Sequence, residues 1–135
     1  MRKKILLVED DAEIVELLSF NLKNAGFSVG TATEGIEGLK KARSLAPDLI
    51  LLDLMLPELD GFAVCEILRR DPCTASIPII MLTAMTSHLA RVNGLSSGAN
   101  DYITKPFSMK ALVSKVESML AGSAGAPAIS QAHPT

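Results

Sequence analysis

Short runs of consecutive apolar residues alternate along the chain with longer stretches in which apolar residues recur every three or four positions. Runs of the first kind suit strands buried on both faces, and stretches of the second suit amphipathic helices. The alternation therefore predicts five βα units building a parallel sheet covered on both sides. The expected strands are Lys4–Val8, Phe27–Ala32, Leu49–Asp53, Ile79–Leu82 and Asp101–Thr104. Between and after them, helical stripes are formed by Ile14, Leu17, Leu18 and Leu22, by Ile36, Leu39 and Ala42, by Val64, Ile67 and Leu68, and by Met109, Leu112, Val113, Val116 and Leu120. All of these are expected to be core. A weaker helix is expected between Thr86 and Ser97, where Ser87, Asn93, Gly94 and Ser96 dilute an apolar face of only Leu89, Val92 and Leu95. An element held so lightly is a candidate for the part that moves.

Turn residues agree with these boundaries. Gly26 follows the first helix, Pro47 precedes the third strand, Pro78 opens the fourth, and Pro106 suits the first turn of the last helix. After Leu120 the composition changes to Ala, Gly, Ser and Pro without charge, which divides the chain into one domain over residues 1–121 and a flexible tail or linker over 122–135.

The length of 135 residues and the 48% apolar content fit one globular domain. The 13 basic and 15 acidic side chains leave a net charge of −2 and are spread along the chain. That argues against direct nucleic-acid binding by this chain and against a polybasic membrane patch. No apolar run approaches the roughly 18 residues of a spanning helix, and Glu9-Asp10-Asp11 ends the N-terminal apolar stretch too early for a signal peptide, so the expected location is cytoplasmic. Cys65 and Cys73 lack a metal-ligand spacing and are expected to be free thiols, Cys65 as core or half-buried filler.

In an open α/β sheet, ligands bind beyond the carboxyl ends of the strands. The residues there are Glu9, Asp10 and Asp11 after the first strand, Asp53 after the third, Thr83 and Ala84 after the fourth, and Lys105 and Pro106 after the fifth. If those strands are neighbours, carboxylates, a hydroxyl and an ammonium converge in one shallow pocket. Packed carboxylates repel unless a cation joins them. Mg²⁺, which binds a few carboxylates while keeping sites for water and phosphate oxygens, fits best, with Mn²⁺ as a substitute. In that setting Asp53 can act as a nucleophile toward a phosphoryl group whose charge the metal and Lys105 offset.

Val8-Glu9-Asp10-Asp11, Leu51-Leu52-Asp53-Leu54-Met55-Leu56-Pro57, Asp60-Gly61, Met81-Leu82-Thr83-Ala84, Gly98-Ala99 and Asp101-Tyr102-Ile103-Thr104-Lys105-Pro106-Phe107 follow one another in order. Together they resemble the receiver domain of two-component response regulators over essentially all of residues 3–121. The resemblance implies an α/β, flavodoxin-like doubly wound fold of the chemotaxis-regulator kind, with a five-stranded parallel sheet in the order 2-1-3-4-5 and five helices on two faces. It also implies a phosphorylation-activated signalling switch rather than an enzyme, catalysing only its own Mg²⁺-dependent phosphotransfer and slow autodephosphorylation.

By the same resemblance, Asp53 accepts a phosphoryl group from a sensor histidine kinase or histidine phosphotransfer protein. Asp10 and Asp53 bind Mg²⁺ directly, Glu9 through water and Met55 through its backbone carbonyl. Lys105 pairs with the phosphoryl group, Thr83 swings toward it, and Tyr102 turns inward as the partner in the switch. The surface of the helix over 86–97, the last strand and the last helix then shifts toward a downstream effector protein or domain. Asp11 is expected to cap the first helix instead.

Met55 and Met85, two positions beyond Asp53 and Thr83, offer no group to orient a hydrolytic water, so a long-lived phosphoryl group is expected. Arg91, Asp101 and Lys110 retain part of the charge set used by DNA-binding relatives that dimerise through this face. Ala90, Asn100 and Ala111 break that set, which favours a monomer or a weak phosphorylation-dependent dimer.

Alone, the acidic run would read as a solvated helix start, Lys105 as a surface lysine, Thr83 as a strand-end hydroxyl and Tyr102 as packing; His88 reads as solvent-exposed. A flavin or nucleotide site would need a Gly- or Ser-rich loop where Glu9-Asp10-Asp11 stands. A phosphohydrolase would need an acid/base group where Met55 stands. The remaining alternative is an unphosphorylated pseudo-receiver that acts as a protein-interaction module.

Overall fold

A computed structural model describes the backbone of residues 2–84 and 98–125, with side chains as far as Ala121. Within it, β1 (Lys4–Val8), β2 (Ser28–Ala32), β3 (Leu49–Asp53), β4 (Ile79–Thr83) and β5 (Asp101–Thr104) form one sheet in the order β2-β1-β3-β4-β5. Every neighbouring pair is parallel. Among the described residues, three helices join strands, α1 (Ala12–Asn24), α2 (Gly35–Leu45) and α3 (Gly61–Arg70), and a fourth, α4 (Met109–Gly125), follows β5. The helix expected over 86–97, with Met85, His88, Ala90 and Arg91, lies outside the described residues, as do residues 126–135. The last helix continues through Gly125, into the stretch that composition alone sets apart from the domain.

Alternation along the strands divides the core into two layers. Ile5 and Leu7 of β1, Leu49 and Leu51 of β3, and Ile80 and Leu82 of β4 pack against Leu18 and Leu22 of α1 and Leu112, Val116 and Leu120 of α4. The intervening residues Leu6, Val8, Ile50, Leu52, Ile79 and Met81 face Ala42 of α2 and Val64, Cys65 and Leu68 of α3. Because both faces are covered, β1, β3 and β4 read as unbroken apolar runs, and each buried Leu or Ile contributes about 1.5–3 kcal/mol.

Local signals set the element ends. Asp11 caps α1 by accepting from the N–H groups of Glu13 at 2.9 Å and Ile14 at 3.3 Å, and Asp60 caps α3 by accepting from Ala63 at 2.9 Å. At the far end of α1, Gly26 takes a φ of 101°, and the Phe27 N–H closes back on the Leu22 carbonyl at 3.1 Å. Phe27 is therefore spent on the helix stop and on the core, and β2 starts one residue later than expected.

Three expected core positions are exposed: Leu17 (54%), Ile36 (48%) and Ile67 (44%). Leu17 and Ile67 directly precede the buried Leu18 and Leu68, and consecutive helical residues point about 100° apart, so only one of each pair meets the sheet. Pro106 does not open the last helix. It follows a cis peptide in the loop, and α4 begins at Met109, where the Ser108 hydroxyl accepts from the Ala111 N–H at 3.1 Å. Cys65 is buried and Cys73 exposed, and neither is in a disulfide.

Candidate functional site

The adjacent strands β1, β3, β4 and β5 deliver their following residues to one edge of the sheet. β1 ends at Val8, and the Glu9 N–H bonds the Ala32 carbonyl at 2.9 Å, holding Glu9 almost wholly buried (1% exposed) while Asp10 reaches solvent. β3 ends on Asp53, 3% exposed. One oxygen of Glu9, one of Asp10 and one of Asp53 all lie within 4.8 Å of one another. Asp11 stays out of this group as the cap of α1, although its N–H donates to Glu9 Oε2 at 3.2 Å.

Lys105 supplies the positive charge. Its N–H bonds the Thr83 carbonyl at 2.7 Å, which fixes the backbone just past β5. Its ammonium then reaches Glu9 Oε1 at 3.0 Å and Asp53 Oδ1 at 3.5 Å. One cation facing three carboxylates does not balance them. Burial, reinforced by the adjacent Asp53 carboxyl, pushes the Glu9 carboxyl up to about 7, against the pull of Lys105 and of the Asp11 N–H. Burial draws Lys105 the other way, but its bond to Glu9 and the charges of Asp53 and Glu9 outweigh that, so its pKa is raised.

The remaining expected residues also gather here. Met55 donates its backbone N–H to Asp53 Oδ1 at 3.2 Å, which brings its main chain to the cluster, while its side chain is exposed. Thr83, at the end of β4, is buried. Tyr102 pairs with Met81, two residues before Thr83, so Tyr102 and Thr83 leave the same face of the sheet from adjacent strands. The Tyr102 side chain packs on the α2/α3 layer. A hollow lined by Ile14, Ala84, Lys105, Pro106 and Phe107 opens beside the cluster.

Glycine contacts, which spacing could not reveal, hold the site in shape. A Cβ on Gly61 would lie 2.6 Å from the Asp53 carbonyl oxygen and 2.8 Å from the Leu54 Cα, so α3 starts hard against the backbone that carries Asp53. A Cβ on Gly35 would lie 2.7 Å from the Leu59 carbonyl oxygen, which holds the β3–α3 loop against α2. In that loop Glu58 adopts a φ of 68°, a left-handed conformation that non-glycine residues adopt at a cost.

Oxygen donors alone, three of them carboxylates crowded at one edge, make a set suited to a hard divalent cation. On the other side of β5, Asp101 pairs with Lys115 at 2.7 Å within the chain, so that charge already has a local partner.

Comparisons with known proteins agree with this geometry. Residues 5–117 match the family model described as the response regulator receiver domain. The DNA-binding dual master transcriptional regulator RpaA of Synechocystis is 49% identical over 117 residues, covering 87% of this chain and 48% of RpaA. The chain thus spans about half the length of the curated relatives it matches. Among solved structures, a putative response regulator from Chloroflexus aurantiacus superimposes with a TM-score of 0.85 at 38% identity, covering 90% of this chain and 99% of that one. The receiver domain of the sensor histidine kinase PA1611 from Pseudomonas aeruginosa, solved with a magnesium ion coordinated in the active site cleft, gives 0.83 at 32% identity, with 90% and 99% covered. The sheet order, the acidic edge and the match over nearly the whole folded region place this chain in the response regulator receiver domain family.

Proposed function

We propose that the chain is a switch operated by phosphorylation of Asp53, with a sensor histidine kinase or histidine phosphotransfer protein as donor. The observation that carries this reading is the meeting of Glu9, Asp10 and Asp53 within 4.8 Å under a lysine 3.5 Å from Asp53. A carboxylate oxygen of Asp53 attacks phosphorus, an Asp53–phosphoryl bond forms, and the bond from phosphorus to the donor's imidazole nitrogen breaks, its electron pair staying with the donor. Asp10, Asp53, the Met55 carbonyl and, through water, Glu9 would hold Mg²⁺, or Mn²⁺ in its place. When bound, that ion supplies charge neutralisation at the phosphoryl oxygens. Lys105 offsets the negative charge of the phosphoryl group on Asp53, and the Thr83 hydroxyl donates to a phosphoryl oxygen.

Signal output follows from a shift in population rather than a new fold. As Thr83 moves toward the phosphoryl group, Tyr102, on the same face, turns into the space it leaves. The surface of β5 and α4 changes with it, and a downstream effector protein or domain reads that change. The relatives named as DNA-binding regulators support an effector that binds DNA, with this domain supplying the switch. With Asn100 and Ala111 breaking the charge set and Asp101 paired to Lys115, the domain works as a monomer or a weak phosphorylation-dependent dimer in the cytoplasm. Thr83→Ala should take up phosphate yet lose most of the gain in effector affinity; unchanged affinity would refute the relay.

Intact mass after incubation with acetyl phosphate tests the chemistry directly. One added phosphate on the wild type with Mg²⁺, and none on Asp53→Asn or with chelator, is the expected result. No adduct under any condition would leave a pseudo-receiver that regulates by binding alone.

A further inference from the structure

Arg69, near the end of α3, has no place in the chemistry above, yet its guanidinium makes four hydrogen bonds away from the acidic edge. They tie three stretches together. Nε donates to the Gly98 carbonyl at 2.9 Å, Nη1 to the carbonyls of Ala75 at 3.1 Å and Ile77 at 2.7 Å, and Nη2 to Asn100 Oδ1 at 2.7 Å. The same Asn100 oxygen accepts the Ile79 N–H at 2.8 Å, and the Asn100 N–H returns to the Ile79 carbonyl at 2.8 Å. Gly98 lies flat on the arginine stem: a Cβ there would sit 2.6 Å from Arg69 Cγ.

These bonds converge on the start of β5, the strand least able to hold its own register. β5 has four residues, each only half-buried, and a sheet neighbour on one side alone. A slip of one residue would exchange Tyr102 and Ile103 between the two core layers. It would also carry Lys105 away from the Thr83 carbonyl.

We propose that Arg69 is a positioning residue for the acidic site: by fixing Gly98 and Asn100 it sets where β5 joins the sheet, and so where Lys105, about 17 Å further along the strand, meets Glu9 and Asp53. The proposal deepens the phosphotransfer reading by giving its lysine a remote support, but its first readout does not depend on phosphorylation. The planar fork is essential here, because a lysine at 69 presents a single point charge that cannot span four acceptors.

Chemical shifts of the ¹⁵N- and ¹³C-labelled full chain, recorded well below the melting temperature, separate positioning from general stability. In Arg69→Gln the backbone signals of residues 102–105 and the Lys105 Cε signal should move, with those of β1 and α1 in place. Phosphate uptake from acetyl phosphate at saturating Mg²⁺ should fall roughly tenfold. Arg69→Lys should recover only part of both, and Asn100→Ala, which removes the acceptor of Arg69 Nη2 and of the Ile79 N–H and keeps the arginine's other three bonds, should give the same pattern in weaker form even if Arg69→Gln fails to fold. Shifts confined to residues near 69, 75–79 and 98–100, with Lys105 and the uptake rate unchanged, would overturn the proposal. If the wild type takes up no phosphate, the phosphotransfer reading fails while the Lys105 signal still decides the role of Arg69.

Discussion

Replacing Glu9 with glutamine should make the metal-free domain more stable, increasingly so as pH rises. Glu9 is almost fully buried beside Asp53, and its carboxyl is pushed from the ordinary 4.5 up to about 7. The folded chain therefore holds this proton more tightly than the unfolded chain by about 3 kcal/mol. The sign follows from linkage. Below pH 4.5 Glu9 is protonated in both states and costs nothing; as pH rises from 4.5 to 7 the unfolded chain ionises freely while the folded chain resists, so stability falls; above 7 the full penalty stands. Glutamine keeps the shape and removes the ionisation. Urea unfolding of wild type and Glu9→Gln with chelator should give similar stabilities near pH 4.5 and a gap of about 2–3 kcal/mol in favour of the variant at pH 8, a melting temperature higher by roughly 6–12 °C. Mg²⁺ should close the gap at pH 8 by stabilising the wild type, by about 2.7 kcal/mol at a concentration one hundred times its dissociation constant. A gap that does not grow with pH, or a variant less stable than wild type at pH 8, would refute the argument that crowded carboxylates strain the empty site.

Gly61→Ala should cost at least about 2 kcal/mol and slow phosphate uptake, because its Cβ would collide with backbone atoms of Asp53 and Leu54 that no rotamer change can clear; urea unfolding with the acetyl phosphate assay checks both. Ala46→Gly should instead stabilise the domain, by up to about 1 kcal/mol, since Ala46 holds a φ of 48° at the end of α2, where glycine carries no steric penalty; a melting temperature below wild type would count against it. The phosphoryl group on Asp53 should outlast seconds, because the exposed Met55 side chain beside it cannot orient water, and Met55→Asn should shorten its lifetime; a wild-type half-life of only seconds in Mg²⁺ would sink this.

The strands were legible because parallel strands buried on both faces are apolar throughout: β1, β3 and β5 have the expected limits, and β4 is longer by Thr83 alone. The acidic edge was legible for a related reason, since a polar residue directly after such a run must lie at a strand end. The same reasoning failed where burial depends on rotation about a helix axis, as at Leu17 and Ile67, because a stripe does not say which of two adjacent apolar residues faces the sheet. It failed at Pro106, where proline drew attention from the Ser108 cap two residues on. Contacts made through backbone left no trace in residue type. Nothing in the sequence points from Arg69 to the carbonyls of Ala75, Ile77 and Gly98, or from Gly61 to the main chain of Asp53.

The bond between Lys105 and Glu9 joins residues 96 positions apart. It can close only after the last strand has docked on the edge of the sheet, whereas Glu9 directly follows β1 and Asp53 ends β3, and those strands pair directly with each other. The two carboxylates are thus brought together by strands that both precede Lys105 in the chain. Non-local closure of this kind falls late in folding, when loop entropy has already been spent. A contact that closes this late bears on the rate of unfolding more than on the rate of folding.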